Sequence, residues 1–198
     1  AVGDVMANLL AAVGYEITRE YYFNDAGNQM NVLARSVRTR YRQLLGCADE
    51  LEEHGYQGEY IIDIARAIRE EYGAALQDSD DLSVFRQRAV AATFAMIKAT
   101  LERMGVRHDV YFNECSLYAQ GKIEETLADI ARAGLSYEQD GAVWFRAAQF
   151  GAEKDRVLVK SSGEPTYRLP DIAYHRDKFA RGYDVMIDVF GADHLLTY

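Results

Sequence analysis

Three pairs of polar residues stand where an apolar run stops. Asn24-Asp25 follows residues 17–23, Asn113-Glu114 follows residues 109–112, and Asp193-His194 follows residues 185–190, one Gly-Ala step later. Each run is rich in β-branched or aromatic residues and reads as a core strand. In an open parallel sheet, ligands bind beyond the carboxyl ends of the strands. The coincidence of three polar strand ends points to function there, and the acidic charge balance is compatible with a cationic substrate, or with RNA held at a small local site. Asn and Asp also favour turns for purely local reasons, so the pattern alone leaves ordinary turn chemistry open.

Other chemistries are excluded or weakened. The sequence contains neither G-x-x-x-x-G-K-[ST] nor G-x-G-x-x-G, so both standard phosphate cradles are absent. It has no H-E-x-x-H, and His54, His108, His175 and His194 show no metal-ligand spacing with cysteine. No G-x-S-x-G elbow supports a hydrolase. Cys47 and Cys115 are far apart and read as reduced thiols of a cytosolic protein. With 22 basic and 31 acidic residues the formal net charge is −9, which argues against a broad nucleic-acid-coating surface. Lys154, Arg156, Lys160 and Arg168, with Trp144 and Tyr167 nearby, could touch RNA locally; a solvated β-face is the commoner meaning of such a cluster.

The 198 residues, 49% hydrophobic and 27% charged, have the balance of a folded globular chain, and no apolar run is long enough to span a bilayer. Strands alternate with helices, which predicts an α/β fold with a parallel sheet. Val2, Met6, Leu9, Leu10 and Val13 form a helical stripe ended by Gly14. Met30, Leu33, Val37, Tyr41 and Leu44 mark an amphipathic helix, and Ile61, Ile64, Ala65, Ile68 and Tyr72 a shorter one. Between them, residues 46–58 read as an acidic loop. A long stripe runs through Leu82, Phe85, Ala89, Ala92, Met96 and Ala99. Ile123, Leu127 and Ile130 mark a further helix, and residues 171–181 another, stopped by Gly182. Asp140-Gly141 between Tyr137 and Val143-Trp144-Phe145 signals a hairpin, with 157–159 as its third strand and 161–165 as a turn. The chain opens inside a periodic helix with no cap and closes just after a strand, which predicts a section of a longer protein.

Read together, these segments resemble arginyl-tRNA synthetase. Gly3-Asp4-Val5 through Gly14-Tyr15-Glu16-Ile17-Thr18-Arg19-Glu20-Tyr21-Tyr22-Phe23-Asn24-Asp25-Ala26-Gly27-Asn28-Gln29 is similar to the stretch that follows the family's nucleotide signature. Phe112-Asn113-Glu114-Cys115-Ser116-Leu117-Tyr118 resembles its amino-acid pocket strand. Val157-Leu158-Val159-Lys160-Ser161, then Pro165-Thr166-Tyr167-Arg168-Leu169-Pro170-Asp171-Ile172-Ala173-Tyr174-His175, is a specific match, and Gly191-Ala192-Asp193-His194 closes the pattern. The matches run in order over nearly the whole chain.

The resemblance implies a class I, Rossmann-type parallel-sheet core with a helical insertion and a small α+β connective insertion. It divides the chain into residues 1–30 as the first part of the nucleotide-binding core, 31–105 as the helical insertion, 106–117 as the core strand with the pocket, 118–164 as the connective insertion and 165–198 as the return to the core. It implies ATP-dependent activation of L-arginine and transfer to tRNA(Arg), with Mg2+ as activator and no tightly bound cofactor. The partners it implies are L-arginine, ATP and the tRNA acceptor end; the full-length protein is expected to be a cytoplasmic monomer. By the same resemblance Glu114, Tyr167 and Asp171 bind arginine, Gly191, Asp193 and His194 approach ATP, and Asn24, Asp25 and Gln29 line the mouth of the site. No catalytic residue and no metal ligand is assigned. The family's His-x-Gly-His signature and Lys-Met-Ser-Lys-Ser-like loop are absent from the 198 residues, so the isolated piece is expected to be inactive. The residues after His194 depart from the family pattern, Leu195-Leu196-Thr197-Tyr198 replacing a second His and Gly-Tyr. A non-catalytic arginine- or RNA-binding paralogue and another class I synthetase are the alternatives.

Overall fold

A computed structural model describes residues 1–191, which divide into two compact units: residues 1–24 with 110–191, and residues 25–109. The first unit opens with helix α1 (Val2–Ala12) and strand β1 (Glu20–Phe23). It resumes with β2 (Val110–Asn113), the short helix α5 (Cys115–Ala119), α6 (Lys122–Arg132), strands β3 (Ser136–Gln139), β4 (Ala142–Phe145) and β5 (Arg156–Val159), and helix α7 (Arg168–Ala180). The second unit holds three helices, α2 (Asn28–Leu44), α3 (Glu59–Tyr72) and α4 (Ser83–Arg103).

The expected parallel pairing is present. β1 and β2 run parallel with Tyr22 opposite Phe112 and Phe23 opposite Asn113. The expected strand at 17–23 shortens to four residues because its partner is equally short; the ladder goes back only as far as the Val110 N–H bonded to the Arg19 carbonyl. The hairpin forms at the expected dipeptide. Asp140 and Gly141 both take positive φ, 52° and 74°, the backbone that lets a two-residue turn match the twist of its strands. β5 then joins β4 antiparallel, and Thr166 closes the piece by donating its Oγ1 hydrogen to the Val157 carbonyl at 2.7 Å.

One expected core strand does not form. Residues 185–190 are irregular, and Val185, Ile187, Val189 and Phe190 are 46–63% exposed. A strand is made by a neighbour's ladder, not by its own apolar run. Here the segment instead follows α7, where its single carboxylate, Asp188, pairs with Lys178 and with His175. Helix α7 also begins earlier than residue 171, at Arg168. Pro170 sits in the first turn, where its missing N–H would have had no helical partner.

The core of the first unit gathers Leu117, Ile123, Ile130, Leu158, Leu169 and Ala173, with Phe145 and Ile172 packed against it. In the second unit Leu33, Val37 and Tyr41 of α2 meet Ile61, Ile64 and Ile68 of α3 and Phe85 and Ala89 of α4. The Tyr41 hydroxyl, buried with its ring edge-on to Phe85, donates to the Gly73 carbonyl at 2.7 Å, so the polar end of the core aromatic is satisfied. The acidic loop at 46–58 neutralises the arginine face of α2 through Arg35–Glu52 and Arg42–Asp49 pairs at 2.6 and 3.0 Å. The α4 stripe is buried only at its N-terminal half, and Met96 is exposed. At about 1.5 Å per residue, a helix of 21 residues outruns one of 14, so its far turns project past α3. Among the described residues no helix is long and apolar enough to cross a membrane.

Candidate functional site

The parallel pair places Asn24 and Glu114 at the same end of the sheet. Glu114 is the cap residue of α5, and its N–H donates to the Phe23 carbonyl at 3.1 Å, so the chain turns directly off β2 beside the end of β1. That turn carries the Glu114 side chain inward, and the residue is 9% exposed. A buried carboxylate needs hydrogen-bond donors or a countercharge. The Tyr22 hydroxyl donates to Glu114 Oε2 at 2.7 Å across 92 residues of chain.

Tyr22 is the hinge of the arrangement. On a strand, alternate residues share a face, so Glu20 and Tyr22 point the same way from β1. The Tyr22 ring stacks on Phe112 across the pair, centroids 6.1 Å apart, and leans on Tyr174 of α7 at 4.6 Å; Phe112 and Tyr174 close the triangle at 4.7 Å. α7 is tied to the same face by polar bonds. The Tyr174 hydroxyl donates to Glu20, and Arg181 pairs with both Glu20 and Asp177 while its guanidinium lies over the Phe112 ring.

This packing sets α7 against α5 and brings Asp171, in the first turn of α7, close enough to the Tyr22 hydroxyl for its charge to act there beside that of Glu114. Burial holds the Tyr22 phenol far above the usual tyrosine range; the hydrogen bond to Glu114 and the charges of Glu114 and Asp171 push it in the same direction. Two carboxylates from distant parts of the chain therefore act on one phenol. Tyr118 of α5, one turn after Glu114, is also raised, by burial first and then by the Glu114 charge. The result is an acidic corner with an aromatic wall, built where β1, β2, α5 and α7 meet.

Tyr167 caps α7, with its carbonyl accepting from the Asp171 N–H at 3.3 Å; its ring is 58% exposed, and the Arg168 guanidinium lies over it at 4.5 Å. Asn24 is exposed directly after β1, whereas Asp25 and Gln29 belong to the helical unit, in the loop before α2 and in its first turn. Gly191 is exposed at the end of the 185–190 segment. Asp193 and His194 lie outside the described residues. Sequence reading gave no role to Tyr22, Phe112 or Tyr174. The available signal was the strand alternation that puts residues 20 and 22 on one face, but which element that face meets is not written in the strand.

Chemically, the corner suits a planar cation with several N–H donors. The carboxylates accept, and Tyr22 fixes the direction of one oxygen without neutralising its charge, its own ring held by Phe112 and Tyr174. Such desolvated, charge-assisted pairs are the strong ones.

Comparison with known proteins bears on the same region. The family model described as class I tRNA synthetases (R), catalytic domain, matches residues 1–193. The arginine–tRNA ligase of Desulfotalea psychrophila is 52% identical over 196 residues, covering 99% of this chain and 36% of that protein. The arginine–tRNA ligase of Salinibacter ruber is 50% identical over 213 residues, covering 100% of this chain and 38% of the relative. The chain thus spans little more than a third of the length of these curated relatives. Among solved structures, a Campylobacter jejuni protein provisionally assigned as an arginyl-tRNA synthetase superposes with a TM-score of 0.90 at 35% identity, over 98% of this chain and 43% of that one. The arginyl-tRNA synthetase of Plasmodium falciparum, 14% identical with a TM-score of 0.59 over 88% of this chain and 30% of that one, shares the fold.

Proposed function

Since the chain belongs to the family of class I arginyl-tRNA synthetase catalytic domains, we propose that it forms the arginine-gripping part of an enzyme that activates L-arginine with ATP and transfers it to tRNA(Arg). The observation that carries this reading is the buried Glu114 carboxylate at the shared end of β1 and β2, aimed by the Tyr22 hydroxyl at 2.7 Å. The arginine guanidinium is planar, always charged and presents a fixed fork of donors. Glu114 and Asp171 accept from that fork, and Tyr167, one turn before Asp171, offers its ring to the aliphatic stem or to the terminal adenosine of the tRNA. Residues 31–105 serve as a helical insertion and 118–164 as a connective one, between core segments 1–30, 106–117 and 165–198.

In this reading the arginine carboxylate attacks the α-phosphate of ATP, forming arginyl-adenylate and releasing pyrophosphate; the arginyl group then passes to the 3′ end of the tRNA. The contribution of this chain is to bind and orient the amino acid, with Gly191, Asp193 and His194 toward the nucleotide and Asn24, Asp25 and Gln29 at the mouth. Among the described residues no group of three or more His, Cys, Asp or Glu side chains is arranged to hold a metal ion. The complete protein acts as a cytoplasmic monomer in this proposal. The test is ATP–pyrophosphate exchange by the complete protein with a panel of amino acids. Exchange with arginine, and not with lysine or citrulline, is expected; equal exchange with lysine, or none with arginine, overturns the reading.

Tyr22→Phe supplies a finer check. It removes one hydrogen bond to a charged group, typically about 1.5–3 kcal/mol, and leaves the aromatic stacking intact. The KM for arginine is expected to rise by about tenfold, with the KM for ATP nearly unchanged. An unaltered arginine KM would show that Glu114 does not need its phenolic donor to meet the substrate.

A further inference from the structure

Helix α7 carries a second polar group, one turn beyond Asp171, that the arginine reading does not use. His175 lies between two acceptors. Its Nδ1 is 2.9 Å from the Asp171 carbonyl oxygen and 3.6 Å from the Asp171 carboxylate; its Nε2 is 3.3 Å from Asp188 Oδ2. The other oxygen of Asp188 pairs with Lys178. His175 and Lys178 are three apart and share a helix face, so the two grip one carboxylate from the same side.

The Lys178 end is the constraint. The residue is only 8% exposed, and its ammonium lies over the Tyr174 ring at 4.7 Å. A buried ammonium requires an opposite charge, and Asp188 supplies it. Burial raises the Asp188 carboxyl, but Lys178 and His175 outweigh burial and hold it below the usual aspartate range. This explains why a segment with the composition of a strand runs along α7. Its one acidic residue is claimed by a buried cation, three residues before Gly191.

We propose that His175 is a positioning residue: with Lys178 it latches Asp188 to α7 and so fixes the segment that ends at Gly191 relative to the turn that carries Asp171. The nucleotide side and the amino-acid side of the site are thereby held in register, with Lys178 anchoring Asp188 and the imidazole joining it to the Asp171 turn. This deepens the reading above and rests on it for the identity of the two sides; the latch itself does not. Register between two bound reactants governs the rate of a displacement far more than the affinity for either one.

The experiment uses the complete protein and four variants: His175→Ala, His175→Gln, Asp188→Asn and the double variant His175→Ala with Asp188→Asn. Glutamine keeps a side-chain N–H donor for Asp188 and removes the imidazole. The rate of chymotrypsin cleavage within residues 185–191, an irregular segment with Phe190 exposed, reads the latch directly, whatever the activity. It is expected to rise by about tenfold in His175→Ala and in Asp188→Asn, and to return toward the parent rate in His175→Gln. Pyrophosphate exchange reads the consequence. We expect kcat to fall by about tenfold or more and the KM for ATP to rise, while the KM for arginine stays within about twofold. The double variant should lose no more than the worse single variant, because both break one unit. Unchanged cleavage in the single variants overturns the latch. Faster cleavage with an unchanged kcat, or with losses that multiply in the double variant, overturns its role in positioning. If the parent shows no arginine-dependent exchange of pyrophosphate, the functional reading fails and the cleavage result alone decides the latch.

Discussion

Glu114→Gln is expected to abolish arginine-dependent pyrophosphate exchange at arginine concentrations that saturate the parent protein, while the protein stays folded. Glutamine keeps the volume of the side chain and an oxygen to accept from the Tyr22 hydroxyl, so the corner between β2 and α5 survives. What disappears is the charge. Removing one partner of a desolvated charged pair typically costs about 2–5 kcal/mol, or roughly thirty- to several-thousand-fold in affinity. The burial of Glu114 places it toward the upper part of that range, because little solvent is present to screen the pair. Calorimetry with arginine measures the loss, and thermal unfolding checks that the fold is intact. Parent-like arginine affinity in a folded Glu114→Gln protein would remove this residue from the site.

Asp171→Ala is expected to have the second largest effect, a loss of arginine affinity of about 2 kcal/mol or more, some thirtyfold. Asp171 has a competing structural role, since a carboxylate in the first turn of a helix is stabilised by the helix dipole, typically by about 0.3–1 kcal/mol. The two roles separate by measurement. The dipole role lowers the melting temperature and leaves the arginine KM alone; the pocket role raises the KM. If Glu114 and Asp171 hold the same guanidinium, the double variant should lose clearly less than the product of the single losses, because the second truncation removes a grip that the first has already spoiled. A fully multiplicative loss would mean that the two carboxylates serve different groups.

The chain shows which features are local. The helices at 28–44, 59–72 and 122–132 follow from apolar spacing, and each lies close to its expected residues because an amphipathic stripe needs only a neighbour of the right kind. The hairpin at Asp140-Gly141 is set by which residues tolerate positive φ. The parallel pair was legible from two short β-rich runs separated by helices. The acidic and amide residues at the strand ends were visible as composition, and the ordered resemblance singled out Glu114 among them and added Tyr167 and Asp171 from the start of α7.

What tertiary structure alone decided lies in pairs distant in sequence. Nothing near Tyr22 announces that its hydroxyl meets Glu114, 92 residues on, and nothing in residues 185–190 announces that they follow a helix in place of a sheet. An apolar run reads as a strand from its own residues, but whether it becomes one depends on an available edge and on where its single charge is drawn. Here the buried ammonium of Lys178 draws Asp188 to α7. Local rules fix the elements because backbone sterics and periodicity act within a few residues. The functional corner is fixed by burial, which forces each charged group to find a countercharge or donor wherever the packed chain supplies one.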